Sequence, residues 1–197
     1  AVDLDWFWRS WFYTTDYVDI GVKEVKKYYV SDTPTAAMKE YMEANGVSEA
    51  DLPPLVYLAE EDSEDFDPAM KGKSPSETSQ PLKEFMMDNM SVEERAQVRE
   101  PKFFYQVTFD KPGGIPMPLI VEYSYADGTK ETVTYPPEIW RKNDAEVSRV
   151  ISSQSELTGI VGDPNMETAD IDTQNNSWPK EDAPSEVQQF KENIKGE

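Results

Sequence analysis

Histidine and cysteine are both missing from this 197-residue chain. Their absence excludes Ser-His-Asp and Cys-His nucleophiles, thiolate chemistry, disulfides, and any zinc site that draws on an imidazole or thiolate ligand. Among metals, an all-oxygen calcium or magnesium site is what stays open. Bases are scarce as well: 19 Lys and Arg stand against 39 Asp and Glu, a net charge of −20. A field of that sign repels phosphate backbones and sets aside a nucleic-acid partner. No apolar run approaches the ~20 residues that cross a bilayer, so no transmembrane segment is expected. An initiating Met and the basic start and apolar middle of a signal peptide are lacking too. The chain opens Ala1-Val2-Asp3 and is expected to be a piece of something longer. Glycine is sparse, at nine, beside fifteen prolines and 12% aromatics; that balance belongs to a folded chain rather than a disordered acidic one. The length suffices to bury a core without disulfides or metals.

What is present is unevenly distributed. Residues 3–13 are dense in aromatics, and at helical spacing Leu4, Phe7, Trp8, Trp11 and Phe12 form one broad stripe, with Trp6 and Tyr13 together on the opposite face. Asp3 and Asp5 suit the N-terminus of such a helix. A helix apolar on both sides is normally covered on both sides, which makes Trp6, Trp8, Trp11 and Tyr13 candidates for a domain interface. From Asp16 the period changes to two. Val18, Ile20 and Val22 alternate with polar residues, and Val25, Tyr28 and Val30 continue after a break, predicting a strand with a bulge near Lys23-Glu24. A helix is expected over 35–44, opened by Pro34 and stopped at Asn45-Gly46.

Residues 43–67 hold nine acids and no base. Residues 46–81 read as an exposed, loop-dominated excursion, anchored by 55–58 with Val56 and Leu58 buried. Residues 82–98 read as two short helices meeting at Asn89, the second opened by the capping box Ser91-Val92-Glu93-Glu94. After Pro101 the chain is β-rich. Residues 103–109 alternate, Pro112-Gly113-Gly114 turns the chain, and 119–135 form a hairpin. A two-residue turn at Asp127-Gly128 would oppose Val121 to Thr134. A three-residue turn over 126–128, with Gly128 left-handed, opposes Val121 to Val133 and Leu119 to Tyr135, and groups apolar side chains better. Short strands are expected at 138–141, 146–151 and 157–161, and a last amphipathic turn carries Val187, Phe190 and Ile194. The fold class is mainly β with helical segments: an antiparallel β-sandwich of immunoglobulin or fibronectin type, preceded by a helix and carrying a helical and acidic insertion. The expected organisation is a helix ending a preceding region (1–15), the sandwich (16–32 and 101–179), the insertion (33–100) and a partly helical tail (180–197).

Three groups of residues invite chemistry. Asp170-Ile171-Asp172-Thr173-Gln174-Asn175 begins like an oxygen-ligand calcium loop, but the sixth position is Asn175 rather than Gly, and the favoured reading is Asx turns. The acids at 60–67 offer pairs for general acid–base work or a cation, yet with 39 acids in the chain such pairing has little specificity. Trp140 and Trp178 suit either stacking platforms for a sugar or peptide, or core positions, the latter being preferred.

Leu4-Asp5-Trp6-Phe7-Trp8-Arg9-Ser10-Trp11-Phe12-Tyr13-Thr14-Thr15-Asp16 resembles the end of the catalytic region in bacterial aminopeptidase-N-like zinc metallopeptidases of the gluzincin type. Residues 113–122, 126–130, 137–143, 163–172 and 175–179 resemble the β-sandwich region that follows in the same enzymes, in the same order. The likeness covers about residues 3–30 and 103–179, whereas 31–100 is less familiar. The resemblance implies a parent zinc aminopeptidase with an H-E-x-x-H helix and a downstream Glu. With no histidine, none of those ligands maps onto this chain. It therefore implies no catalytic residue and no metal or cofactor here, zinc in the parent, and the preceding catalytic domain of the same polypeptide as partner; it favours the cell envelope or periplasm, with the compartment itself left open. The alternatives are a free-standing peptide- or carbohydrate-recognition sandwich, in which the N-terminal aromatics would be fully buried within the chain, and an enzyme working with carboxylates alone.

Overall fold

The computed structural model describes residues 4–49, 54–99 and 101–180; the expected turn with Val187, Phe190 and Ile194 lies outside them. The elements run α1 (Asp5–Tyr13), β1 (Gly21–Ser31), α2 (Ala36–Asn45), β2 (Tyr57–Glu60), α3 (Pro75–Thr78), α4 (Gln80–Asn89), α5 (Val92–Arg99), β3 (Phe103–Asp110), β4 (Leu119–Tyr125), β5 (Lys130–Tyr135), β6 (Glu146–Ser153), β7 (Leu157–Gly162) and β8 (Ser177–Trp178). The strands form two four-stranded sheets, ordered β2-β1-β3-β6 and β5-β4-β7-β8, with every pairing antiparallel.

Period-two alternation explains how the two sheets share one core. Tyr105, Val107 and Phe109 of β3 and Leu119, Val121 and Tyr123 of β4 are alternate residues, so each set lies on one face. Both sets are buried and belong to a single cluster with Ile20, Val22, Trp140, Leu157 and Ile160. Each such side chain contributes about 1.5–3 kcal/mol when fully buried. The Tyr105 hydroxyl is not left dry: it accepts the Leu157 N–H at 2.9 Å and so ties β3 of one sheet to β7 of the other. The hairpin takes the three-residue turn, with Leu119 opposite Tyr135, Val121 opposite Val133, and Gly128 at φ +85°.

The bulge expected in β1 falls between Val22 and Glu24, but the strand starts later than its alternation predicts. Val18, Asp19 and Ile20 are buried, and their backbone groups bond to loops instead of a ladder. Ile171 N–H donates to the Val18 carbonyl at 3.1 Å, and Ile20 N–H donates to Asp170 Oδ2 at 3.1 Å. Residues 138–141, expected as a strand, are part of a 3-10 turn over Pro137–Arg141. Two prolines in succession supply no N–H for a ladder, and Pro137 presets the φ of a helical first position. Ile139 N–H closes the turn on the Pro136 carbonyl at 3.0 Å.

The excursion is more ordered than its composition predicts. β2 adds an edge to the first sheet with Ala59 opposite Tyr29, and Ser74, Pro75 and Ser79 are buried. The expected anchors are wrong in phase: Val56 and Leu58 are exposed, while Ala59 is buried and Tyr57 half-buried. The helical pieces follow their end signals. Thr35 caps α2 by accepting the Met38 N–H, Gly46 ends it in the left-handed conformation, and Ser91 and Glu94 form the reciprocal capping box of α5.

Candidate interface helix

α1 forms from a run with little β-branching, ends at extended Thr14, and buries no residue. Its N-cap is Leu4, which supplies no side-chain bond; Asp5 sits in the first turn. At the other end the Thr14 hydroxyl donates to the Ser10 carbonyl at 2.8 Å. The rings hold one another: Phe7 lies 5.3 Å from Trp8 edge to face and 6.1 Å from Trp11, and Trp8 lies 5.3 Å from Phe12. These contacts leave the outer face open. Trp8 is 51% exposed, Trp11 41%, Phe12 65% and Tyr13 83%.

Trp6 is different. It is half-buried and lines a groove of about 560 Å³ between α1 and the body of the protein, with Arg9 and Ser10 on the helix and Pro116, Pro137 and Trp140 beyond it. Tyr13, seven residues on and on the same side of the helix as Trp6, is the last residue of α1 and is exposed. Of the four candidates, Trp8 and Trp11 share the open face, Tyr13 is exposed at the end of the helix, and Trp6 is half-buried over the groove.

The segment after α1 is fixed by backbone bonds to the turn between β3 and β4. Tyr17 N–H donates to the Gly113 carbonyl at 3.0 Å, and Ile115 N–H donates to the Tyr17 carbonyl at 3.2 Å. A Cβ on Gly113 would stand 2.4 Å from the Tyr17 carbonyl oxygen and 2.6 Å from the Asp19 N, so only glycine allows this approach. Beneath the same turn the Lys111 ammonium, 1% exposed at the side chain, donates to the Gly114 carbonyl and pairs with Asp144 at 3.0 Å. Sequence patterning marks Gly113 as a turn residue but not its close approach to Tyr17 and Asp19, which come from a segment more than ninety residues away, and it does not single out Lys111.

The other candidate groups resolve into structural roles. Asp170 Oδ1 accepts the Asp172 N–H at 3.0 Å and Asp172 Oδ1 accepts the Gln174 N–H at 3.1 Å, two Asx turns. With Val22 N–H donating to the Asn175 carbonyl and Asn175 Nδ2 donating to Asp19 Oδ1, they pin the 163–178 loop to the start of β1. Burial pushes the Asp170 carboxyl above its ordinary range, despite the N–H groups of Ile20 and Asp172. Burial does the same to Asp110, where the charge of Asp19 adds to it. Among the acids at 60–67, Glu60 and Glu61 find bases in space, and Asp65 finds a backbone donor. Glu60 pairs with Lys26 at 3.3 Å, Glu61 with Lys71 at 2.6 Å, and Asp65 accepts the Ala36 N–H at 2.8 Å. Lys27 reaches Glu61 and Glu156. Burial is the largest single influence and by itself would lower its ammonium; the bond to Glu156, together with Tyr29 and Tyr105, outweighs it and holds the group well above its ordinary value. Trp140 is buried with its indole N–H donating to the Met117 carbonyl at 3.0 Å, and Trp178 packs against the core from β8, so neither is a stacking platform.

Among the described residues no three acidic side chains are gathered to hold a metal ion, and the side-chain set of the chain does not fit a catalytic zinc, which draws on imidazole. No helix among the described residues is long and apolar enough to cross a membrane. No protein-family model, no curated protein and no solved structure matches the chain.

Proposed function

We propose that this chain is the non-catalytic C-terminal module of a zinc-dependent, aminopeptidase-N-like metallopeptidase, and that α1 docks on the preceding catalytic domain of the same polypeptide. In this reading the two sheets form a β-sandwich of immunoglobulin or fibronectin type, the zinc belongs to the parent's upstream region, and the parent resides in the cell envelope. The observation that carries it is the open aromatic face of α1: Leu4, Trp8, Trp11, Phe12 and Tyr13 are all more than two-fifths exposed. Large aromatic side chains bury ~150–250 Å² each when covered, so a contiguous group of them is a partner surface and not a solvent surface. A free-standing recognition module would bury these rings within itself, and this chain does not. The resemblance of residues 4–16 and 113–179 to the junction and sandwich of such enzymes names the partner.

The test has two arms. The reading frame upstream of residue 1 is sequenced for H-E-x-x-H, and the longer polypeptide and the 197-residue chain are assayed on an aminoacyl anilide with and without chelator. Chelator-sensitive turnover is expected of the longer polypeptide alone, and Trp8→Ser with Trp11→Ser in that polypeptide lowers the melting temperature of its catalytic region. Zinc-dependent turnover by the 197-residue chain, or an upstream frame without the motif, overturns the assignment.

A further inference from the structure

One groove in this acidic protein brings three cations together with a single acid. It measures about 490 Å³ and is lined by Lys83, Met86 and Met87 of α4, Arg95 of α5, Lys102 just before β3, and Ser74, Ser76 and Glu77 at α3. Lys23, Lys26, Lys27, Lys71, Lys111 and Lys130 all pair with carboxylates, whereas Lys83, Arg95 and Lys102 have no carboxylate partner among the described residues. Three unpaired cations brought to one groove from three separate segments, in a chain of net charge −20, raise the question of which anion they meet. The single acid on the wall, Glu77, is engaged: its carboxylate accepts the Ser74 N–H at 3.2 Å.

Of the three cations, Arg95 is held in place by its side chain. Arg95 is half-buried, and its guanidinium is oriented by bonds to the Ser91 carbonyl at 3.3 Å and Met87 Sδ at 2.9 Å, which leave other N–H groups of the fork free. Lys102 is half-buried, with its backbone N–H donating to the Ser153 carbonyl at 3.1 Å. The hydroxyls of Ser74, itself buried, and Ser76 are hydrogen-bonded to each other at 3.1 Å, which leaves one O–H to donate into the groove. Met86 and Met87 give an apolar side to the same groove. We propose that this groove binds a phosphate monoester, with Arg95, Lys83 and Lys102 on its oxygens, the serine hydroxyls beside them, and the methionines against an aliphatic stem. A dianion with three acceptor oxygens matches three cations and the remaining serine O–H better than a single carboxylate does. The inference is independent of the docking role of α1, whose groove shares no residue with this one.

The experiment is calorimetric titration of the full chain, at low salt, with inorganic phosphate, O-phosphoserine and acetate. Wild type, Arg95→Gln, Lys83→Gln and Lys39→Gln are compared; Lys39 is exposed on α2 outside the groove, and Lys83 is exposed, so its variant keeps the fold. Saturable one-site binding of phosphate is expected, displaced by O-phosphoserine, with acetate at least tenfold weaker. Arg95→Gln should lower phosphate affinity about tenfold or more, and Lys83→Gln several-fold, as befits charge-assisted bonds; Lys39→Gln should not change it. Absence of saturable phosphate binding by wild type overturns the site. Equal weakening in all three variants overturns it in favour of diffuse charge attraction, and acetate binding as tightly as phosphate overturns the ligand class.

Discussion

Gly113 shows how one atom sets the path of the chain that leads out of α1. Its missing Cβ lets the β3–β4 turn close on Tyr17 and Asp19 at distances no side chain tolerates, and that backbone junction is what holds the segment leading out of α1. Gly113→Ala must push main chain against main chain, which has no flexible side chain to absorb the strain. We expect a loss of about 2–3 kcal/mol, read as a lower urea midpoint with an unchanged denaturant slope. Asp110 raises a different residue-scale question. Its carboxyl is pushed up by burial and then by the charge of Asp19, with Lys23 opposing. A folded pKa above the unfolded one means the folded state holds the proton more tightly, so the ionised group costs stability at neutral pH, and that cost vanishes as pH falls through the folded pKa. Asp110→Asn is therefore expected to raise the melting temperature at pH 7, and the advantage over wild type should shrink to nothing on acidification through the carboxylate range. An advantage that persists undiminished below that range would point to packing instead of charge.

At the scale of elements, β2 decides how the insertion attaches. Its pairing with β1 places Ala59 opposite Tyr29 and directs Ala59 inward. Because strand side chains alternate, a shift of one residue would exchange Ala59 for Leu58. The ion pairs from Lys26 to Glu60 and from Lys71 and Lys27 to Glu61 hold the observed register from the solvent side. Two substitutions separate the registers. Ala59→Leu overpacks a buried site and should cost about 1–3 kcal/mol, whereas Leu58→Ser changes an exposed side chain and should stay within about 0.5 kcal/mol, both measured by urea unfolding. The reverse order of effects would mean that β2 pairs one residue out of step. The 3-10 turn over Pro137–Arg141 works at the same scale: it carries Trp140 from the end of β5 into the core, where a continued strand would alternate away.

At the scale of the whole molecule, stability and interface are separable. The buried cluster draws on both sheets and on Trp140, and α1 contributes nothing to it. Removing residues 1–13 is therefore expected to leave a chain that unfolds cooperatively with a midpoint close to that of the parent chain. It should also bind less of a dye that reports exposed apolar surface, since the open aromatic face goes with the helix. Collapse of the fold on that truncation would show that α1 belongs to the core and not to an interface. The net charge of −20 acts on the whole molecule too, spreading repulsion that salt screens.

The sequence by itself determined what depends on local rules. Alternation in 103–109 and 119–135 specified the strands and even the hairpin register, because the three-residue turn was the one that grouped apolar side chains and gave Gly128 its left-handed place. The end signals at Gly46 and Ser91 specified helix ends for the same reason: each is a bond between neighbours in the chain. The aromatic density of α1 marks Trp6, Trp8, Trp11 and Tyr13 as interface candidates, since a helix apolar all round needs cover. Tertiary structure decided the rest. That Trp6 faces inward depends on where Pro116, Pro137 and Trp140 stand. That β2 buries Ala59 depends on which edge it joins, and the pairing of Glu60 and Glu61 with Lys26 and Lys27 depends on β1, more than thirty residues away. The cationic groove is likewise invisible to any reading of neighbours, because Ser74, Lys83, Arg95 and Lys102 meet only when three short helices and the start of β3 pack together. Hydrogen bonds within a few residues are written in the local order of the chain; contacts that close long loops are chosen by the packing of the whole.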